Sequence, residues 1–101
     1  MAFEQVIVET PAPHVGSVTL NRPESMNTFS TTMALELGRA LADLDEDPAV
    51  RVVLLKGAGK AFCAGIDVNE LAGKSAMEYR EWIERMEAPL KAVSRMKTPV
   101  V

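Results

Sequence analysis

Near the start of the chain, residues 3–9 and 15–21 read as two strands joined by a turn at Pro11-Ala12-Pro13-His14. In the second, Val18 and Leu20 alternate with Ser17 and Thr19, the two-residue period of a half-buried strand. Arg22-Pro23-Glu24-Ser25 then breaks the pattern into a loop. Beyond it the period lengthens. Met33, Leu37, Ala40, Leu41 and Leu44 recur on one face of a predicted helix, with Glu36, Arg39 and Asp43 off that face. Ser30 stands where an N-cap belongs, the helix is expected to reach about Asp45, and Asp47-Pro48 stops it. Val52-Val53-Leu54-Leu55 follows without a charge and reads as a strand buried on both faces.

Residues 57–71, GAGKAFCAGIDVNEL, turn out of that strand. Asp67 is placed to cap a short helix through Asn69, Glu70 and Leu71. A turn of small residues running into a helix start directs free backbone N–H groups at one point, which makes an anion-stabilising site. Gly73-Lys74 makes another turn, and Ser75-Ala76-Met77-Glu78 has the spacing of a reciprocal cap. Tyr79, Ile83, Met86, Leu90 and Val93 continue at helical spacing, and Pro89 among them predicts a kink or break near Glu87. The order strand-strand-helix-strand-helix, then a further strand, predicts an α/β layered fold.

Two phosphate-binding motifs are tested and fail. A P-loop ending at Gly59-Lys60 needs glycine at position 54 and a hydroxyl at 61, where the chain has Leu54 and Ala61. A dinucleotide fingerprint on Gly57 and Gly59 needs a small residue at 62, where Phe62 stands.

Composition narrows the partners. The chain has 101 residues, 48% apolar and 25% charged, in the range of one ordinary globular domain. A net charge of −3 with scattered Lys and Arg argues against nucleic acid. No apolar run nears the roughly 20 residues that span a bilayer. Met1-Ala2-Phe3-Glu4 has neither the cationic nor the apolar region of a secretory signal, so a cytoplasmic setting is expected. Cys63 is the single cysteine, which leaves no internal disulfide, and no metal-ligand cluster is present. Cys63 as a nucleophile needs a base, and the single histidine, His14, sits in a turn remote in sequence, so Cys63 is read as a small buried hydrophobe. Tyr79 and Trp82 are read as packing residues.

Three features in order resemble the crotonase superfamily, the enoyl-CoA hydratase/isomerase family. These are Asn21-Arg22-Pro23 with Asn27, the strand at 51–56, and Lys60-Ala61-Phe62-Cys63-Ala64-Gly65-Ile66-Asp67. The resemblance spans essentially the whole chain, down to Lys97-Thr98-Pro99-Val100-Val101. It implies a crotonase-like α/β layered fold of the ββα type and a coenzyme A thioester as substrate, with no permanently bound cofactor. By position in the motif, the backbone N–H of Ile66 is one of two donors in an oxyanion hole. Ala64 and Gly65 are then small to let the backbone approach the ligand. Asp67 and Val68 continue the acyl-CoA wall, with capping the favoured role for Asp67, and Lys60 and Met26 match positions near the coenzyme A. Asn69 stands where many relatives carry lysine. In the family the domain continues past the equivalent of Val101, where the second oxyanion glycine and the acid–base carboxylates lie. Residues 1–101 are therefore expected to be an N-terminal part, inactive alone, of a protein that forms trimers or hexamers when full length. Hydration of a 2-enoyl-CoA is the expected reaction. Enoyl- or dienoyl-CoA isomerisation stays open, as does a non-catalytic fragment.

Overall fold

A computed structural model describes residues 3–101; the terminal reading at Met1-Ala2 lies outside the described residues. The elements run β1 (Val6–Ala12), β2 (Val15–Leu20), a 3₁₀ turn (Pro23–Ser25), α1 (Thr31–Glu46), β3 (Val52–Gly57), a second 3₁₀ turn (Val68–Leu71) and α2 (Ala76–Arg95). The sheet order is β1-β2-β3, with β1 antiparallel and β3 parallel to β2. Val100 bridges Val53 on the far side of β3, so residues 99–101 begin a fourth extended line. This is the α/β layered fold the pattern predicts.

Strand order corrects the expected burial. β2 is buried from Gly16 to Leu20, whereas in β3 Val53 alone among Val52–Leu55 is buried. β2 lies between β1 and β3 and α1 packs on it, whereas the outer edge of β3 meets only the short line at 99–101, a difference of tertiary packing that period-2 alternation cannot carry. The buried Ser17 and Thr19 hydroxyls find no partner among the described residues. β1 also runs later than residues 3–9. It extends through Pro11 to Ala12 with a register shift between Glu9 and Ala12, and the turn contracts to Pro13-His14. Pro11 is tolerated because β1 is an edge strand whose outer side has no ladder to feed. His14 takes the left-handed conformation (φ 66°), and its Nδ1 lies 2.8 Å from the Ala49 carbonyl.

α1 follows its amphipathic pattern. Met33, Leu37, Ala40, Leu41 and Leu44 are all buried, and the Ser30 hydroxyl accepts the Met33 N–H at 3.0 Å. α2 runs without a break across Pro89, so of the kink or break expected near Glu87 the break does not occur. The lost N–H bond is offset by packing, because Pro89 is buried in the groove against α1 beside Ala34 and Gly38.

At the start of α2 the reciprocal cap is complete. Ser75 N–H donates to Glu78 at 3.1 Å, and Glu78 N–H donates to the Ser75 hydroxyl at 3.2 Å. The Ser75 backbone N–H, and after it the Ser75 hydroxyl, hold the Glu78 carboxyl below its ordinary value of 4.5. Because the folded-state value is the lower one, this stabilisation is present above pH 4.5 and disappears as pH falls through the folded value. Melting temperature measured from pH 7 down to 3 is expected to fall less steeply in Glu78→Gln than in the parent. Parallel curves for the two proteins would contradict the cap.

Candidate active site

Residues 57–71 fold back on themselves after β3. Gly57 is needed there, since a Cβ would lie 2.6 Å from the Phe62 carbonyl oxygen and 2.8 Å from that of Ala61. The fold-back is clamped to the loop at 22–27. Asn27, fully buried, donates through Nδ2 to the carbonyls of Ala58 (2.9 Å) and Ala61 (2.8 Å), while its Oδ1 accepts the Arg22 N–H at 2.7 Å. The Ala64 N–H donates to the Met26 carbonyl at 3.0 Å. Lys60 and Met26 therefore lie on two stitched loops, and both side chains are exposed.

Ile66 sits at an isolated parallel bridge with Phe29. Phe29 N–H donates to the Gly65 carbonyl at 2.7 Å, and Asp67 N–H donates to the Phe29 carbonyl at 2.9 Å. In parallel pairing the flanking residues make these bonds, and the residue between them turns its own N–H and C=O to the other side. Among the described residues, the Gly65 and Ile66 amides have no recorded acceptor, whereas those of Ala64 and Asp67 do. Gly65 has φ +135° and open space where a Cβ would stand. The backbone conformation by itself therefore demands glycine at this position.

A cavity of about 260 Å³ lies beside this segment, with Gly65, Ile66, Phe62 and Cys63 on one wall and Ile83, Met86 and Leu90 of α2 on another. Its lining is apolar except for Glu87, whose Oε2 lies 3.5 Å from Lys91. The cavity is open on one side, with Ile66, Phe62 and Leu90 partly exposed, and a carbonyl placed against its apolar wall meets few competing protein donors. Cys63 is half-buried, with its sulfur 3.6 Å from the Gly65 carbonyl.

Asp67 is committed to structure. One carboxylate oxygen accepts the Asn69 N–H at 3.1 Å and the other lies 3.5 Å from Arg22 Nη2, with both side chains largely buried. The short helix it caps, as expected, is a single 3₁₀ turn of four residues, too short for a macrodipole of consequence to stand behind the Ile66 amide. Val68 is exposed at 68% and Asn69 is also exposed. Trp82 is buried, and its ring centroid lies 6.0 Å from that of the half-exposed Tyr79.

One residue escaped the sequence reading. Glu70 accepts hydrogen bonds from Thr31 N (3.0 Å), Thr31 Oγ1 (2.8 Å) and Trp82 Nε1 (3.0 Å). These partners are 39 and 12 residues away, a distance at which no local spacing signals them.

The enoyl-CoA hydratase/isomerase family profile matches residues 11–101. The chain belongs to the enoyl-CoA hydratase/isomerase family. It is 33% identical over 96% of its length to a peroxisomal Δ(3,5)-Δ(2,4)-dienoyl-CoA isomerase of Arabidopsis thaliana, and 32% identical over 100% to a crotonyl-CoA hydratase of Syntrophomonas wolfei. The chain covers 39% of each of those proteins. Among solved structures, the enoyl-CoA hydratase of Bacillus anthracis superposes with a TM-score of 0.89 at 35% identity, covering 96% of this chain and 38% of that one. The fold is that of crotonase-type hydratases. Among the described residues, no helix is long and apolar enough to cross a membrane and no group of three or more His, Cys, Asp and Glu could hold a metal ion.

Proposed function

We propose that this chain is the N-terminal part of a crotonase-like domain that processes acyl-CoA thioesters, with hydration of a 2-enoyl-CoA as its reaction. The observation that carries the reading is that Ile66, a residue lining an apolar cavity, has a backbone N–H with no acceptor among the described residues. Water adding at the β-carbon pushes the electron pair of the double bond onto the thioester oxygen, and the α-carbon then takes a proton. An N–H fixed where that oxygen stands stabilises the enolate more than the neutral carbonyl, and so lowers the barrier. Met26, Lys60, Ala64, Gly65, Asp67 and Val68 supply the surface along which the coenzyme A lies, Asp67 by shaping the backbone and not through its engaged carboxylate.

The exposed apolar side chain of Leu90 (63%), beside the cavity, supports a covering segment over this face. Coenzyme A enters as part of the substrate. The likeness to a dienoyl-CoA isomerase favours double-bond migration as the second reading, for which the same oxyanion donor serves.

The test gives the full-length polypeptide crotonyl-CoA and, separately, a 3,5-dienoyl-CoA. Hydration consumes the thioester-conjugated absorbance of the first, while isomerisation creates it from the second. No change with either, in protein shown to be folded, would overturn both readings. The 101 residues alone are expected to turn over neither substrate.

A further inference from the structure

An oxyanion donor is useful only if it is held still, and a single carboxylate ties the elements on either side of the Ile66 amide together. Glu70 closes the 3₁₀ turn that follows Ile66. Its Oε1 takes three donors, the Thr31 N–H, the Thr31 hydroxyl and the Trp82 indole N–H, and its Oε2 lies 3.2 Å from the same Thr31 nitrogen. Thr31 opens α1 two residues after Phe29, the bridge partner of Ile66. Segment 66–70 is therefore pinned to segment 29–31 at both ends, by the bridge at one and by Glu70 at the other. Without Glu70 the segment keeps the bridge and the Asp67–Arg22 contact to the loop at 22–27, but loses its tie to the start of α1.

The third donor extends the tie. Trp82 is buried at the start of the stretch of α2 whose Ile83, Met86 and Leu90 face the cavity shared with Ile66. The carboxylate thus joins the amide-bearing segment, the N-terminus of α1 and the opposite cavity wall. The N-terminal end of a 16-residue helix favours the negative charge there. Local capping does not account for the arrangement. Asp67-x-x-Glu70 has reciprocal-cap spacing, yet the Asp67 N–H goes to the Phe29 carbonyl and not back to Glu70.

We propose that Glu70 is a positioning residue that fixes the Ile66 amide against the α2 wall of the cavity. This rests on the oxyanion reading given above, and the two fail separately in the following experiment. Full-length protein is mixed with crotonyl-CoA carrying a ¹³C-labelled thioester carbonyl, and the carbonyl stretch of the bound ligand is read by difference infrared spectroscopy beside kcat and KM. The unsubstituted protein is expected to lower the stretch relative to free ligand. Glu70→Ala is expected to lose most of that shift and about 10–100-fold in kcat with KM little changed, because geometry in the transition state is lost and not binding. Glu70→Gln retains an oxygen for the same donors and is expected to recover part of both. Trp82→Phe keeps the ring but removes one donor, and gives an intermediate shift; it decides the matter should Glu70→Ala fail to fold. A full carbonyl shift in Glu70→Ala, or in Trp82→Phe where that variant decides, would overturn the role of Glu70 and leave the oxyanion donor standing. No shift in the unsubstituted protein would overturn the oxyanion donor itself.

Discussion

Replacing the Ile66 peptide N–H by an ester oxygen, with the side chain unchanged, is expected to lower kcat for enoyl-CoA hydration about 10²–10³-fold, the equivalent of about 2.7–4 kcal/mol for one oxyanion donor. The backbone ester is introduced by ligating a synthetic segment to the remainder of the polypeptide. It is the right substitution because the reactive group is main chain. Ile66→Ala keeps the amide and is expected to change acyl-chain preference with a far smaller loss in kcat, since Ile66 also lines the cavity. KM is expected to move little in the ester, because the N–H contributes chiefly once charge has reached the oxygen.

Structural damage from this change is limited to one bond. Among the described residues the Ile66 N–H has no acceptor; of the bonds to Phe29, the Asp67 N–H is untouched, while the Gly65 carbonyl becomes an ester carbonyl and accepts the Phe29 N–H more weakly. A melting temperature near that of the parent, combined with the kinetic loss, separates a chemical role from a folding one. An ester protein that hydrates at the parental rate would show that the Ile66 amide is not the donor.

How far such conclusions were legible in sequence depends on the range of the interaction. α1 was readable because its core face, its Ser30 cap and its Asp47-Pro48 stop are all local. The reciprocal cap of α2 was readable for the same reason, at three-residue spacing. Burial of β2 and partial exposure of β3 were not, because alternation says which residues share a face but not which strand lies in the middle. Pro89 misled because a proline penalty is a local quantity, whereas the packing of its ring against α1 belongs to the tertiary structure. At the site, the 60–67 motif includes Phe62, Cys63, Gly65 and Ile66, which line the cavity. The residues that hold that segment in place, Glu70 across 39 positions and Asn27 across 31 and 34, had no spacing to announce their roles.

Asn27 makes the larger structural prediction. It is fully buried and left-handed at φ 56°, a conformation asparagine accepts more readily than most side chains. Asn27→Ala strands the Arg22 N–H and the carbonyls of Ala58 and Ala61 at once. At roughly 1 kcal/mol or more for each polar group left without a partner, the loss is about 3 kcal/mol. At roughly 4–8 °C per kcal/mol for a unit of this size, melting falls by about 12–24 °C. Asn27→Gly relieves the backbone strain and restores none of the bonds, so it is expected to recover roughly 1 kcal/mol of that loss. Asn27→Asp turns a carboxylate towards two carbonyl oxygens. Its folded-state pKa is therefore raised, and the protein is expected to gain stability as pH falls through that value, the reverse of the Glu78 case. The clamp also reaches the chemistry, because Met26, its neighbour, accepts the Ala64 N–H two residues before Ile66. In the full-length protein a loosened clamp is thus expected to lower kcat even at temperatures where Asn27→Ala remains folded. Melting of Asn27→Ala within 4 °C of the parent would mean that loop 57–62 holds its shape without the amide and that its order has another source.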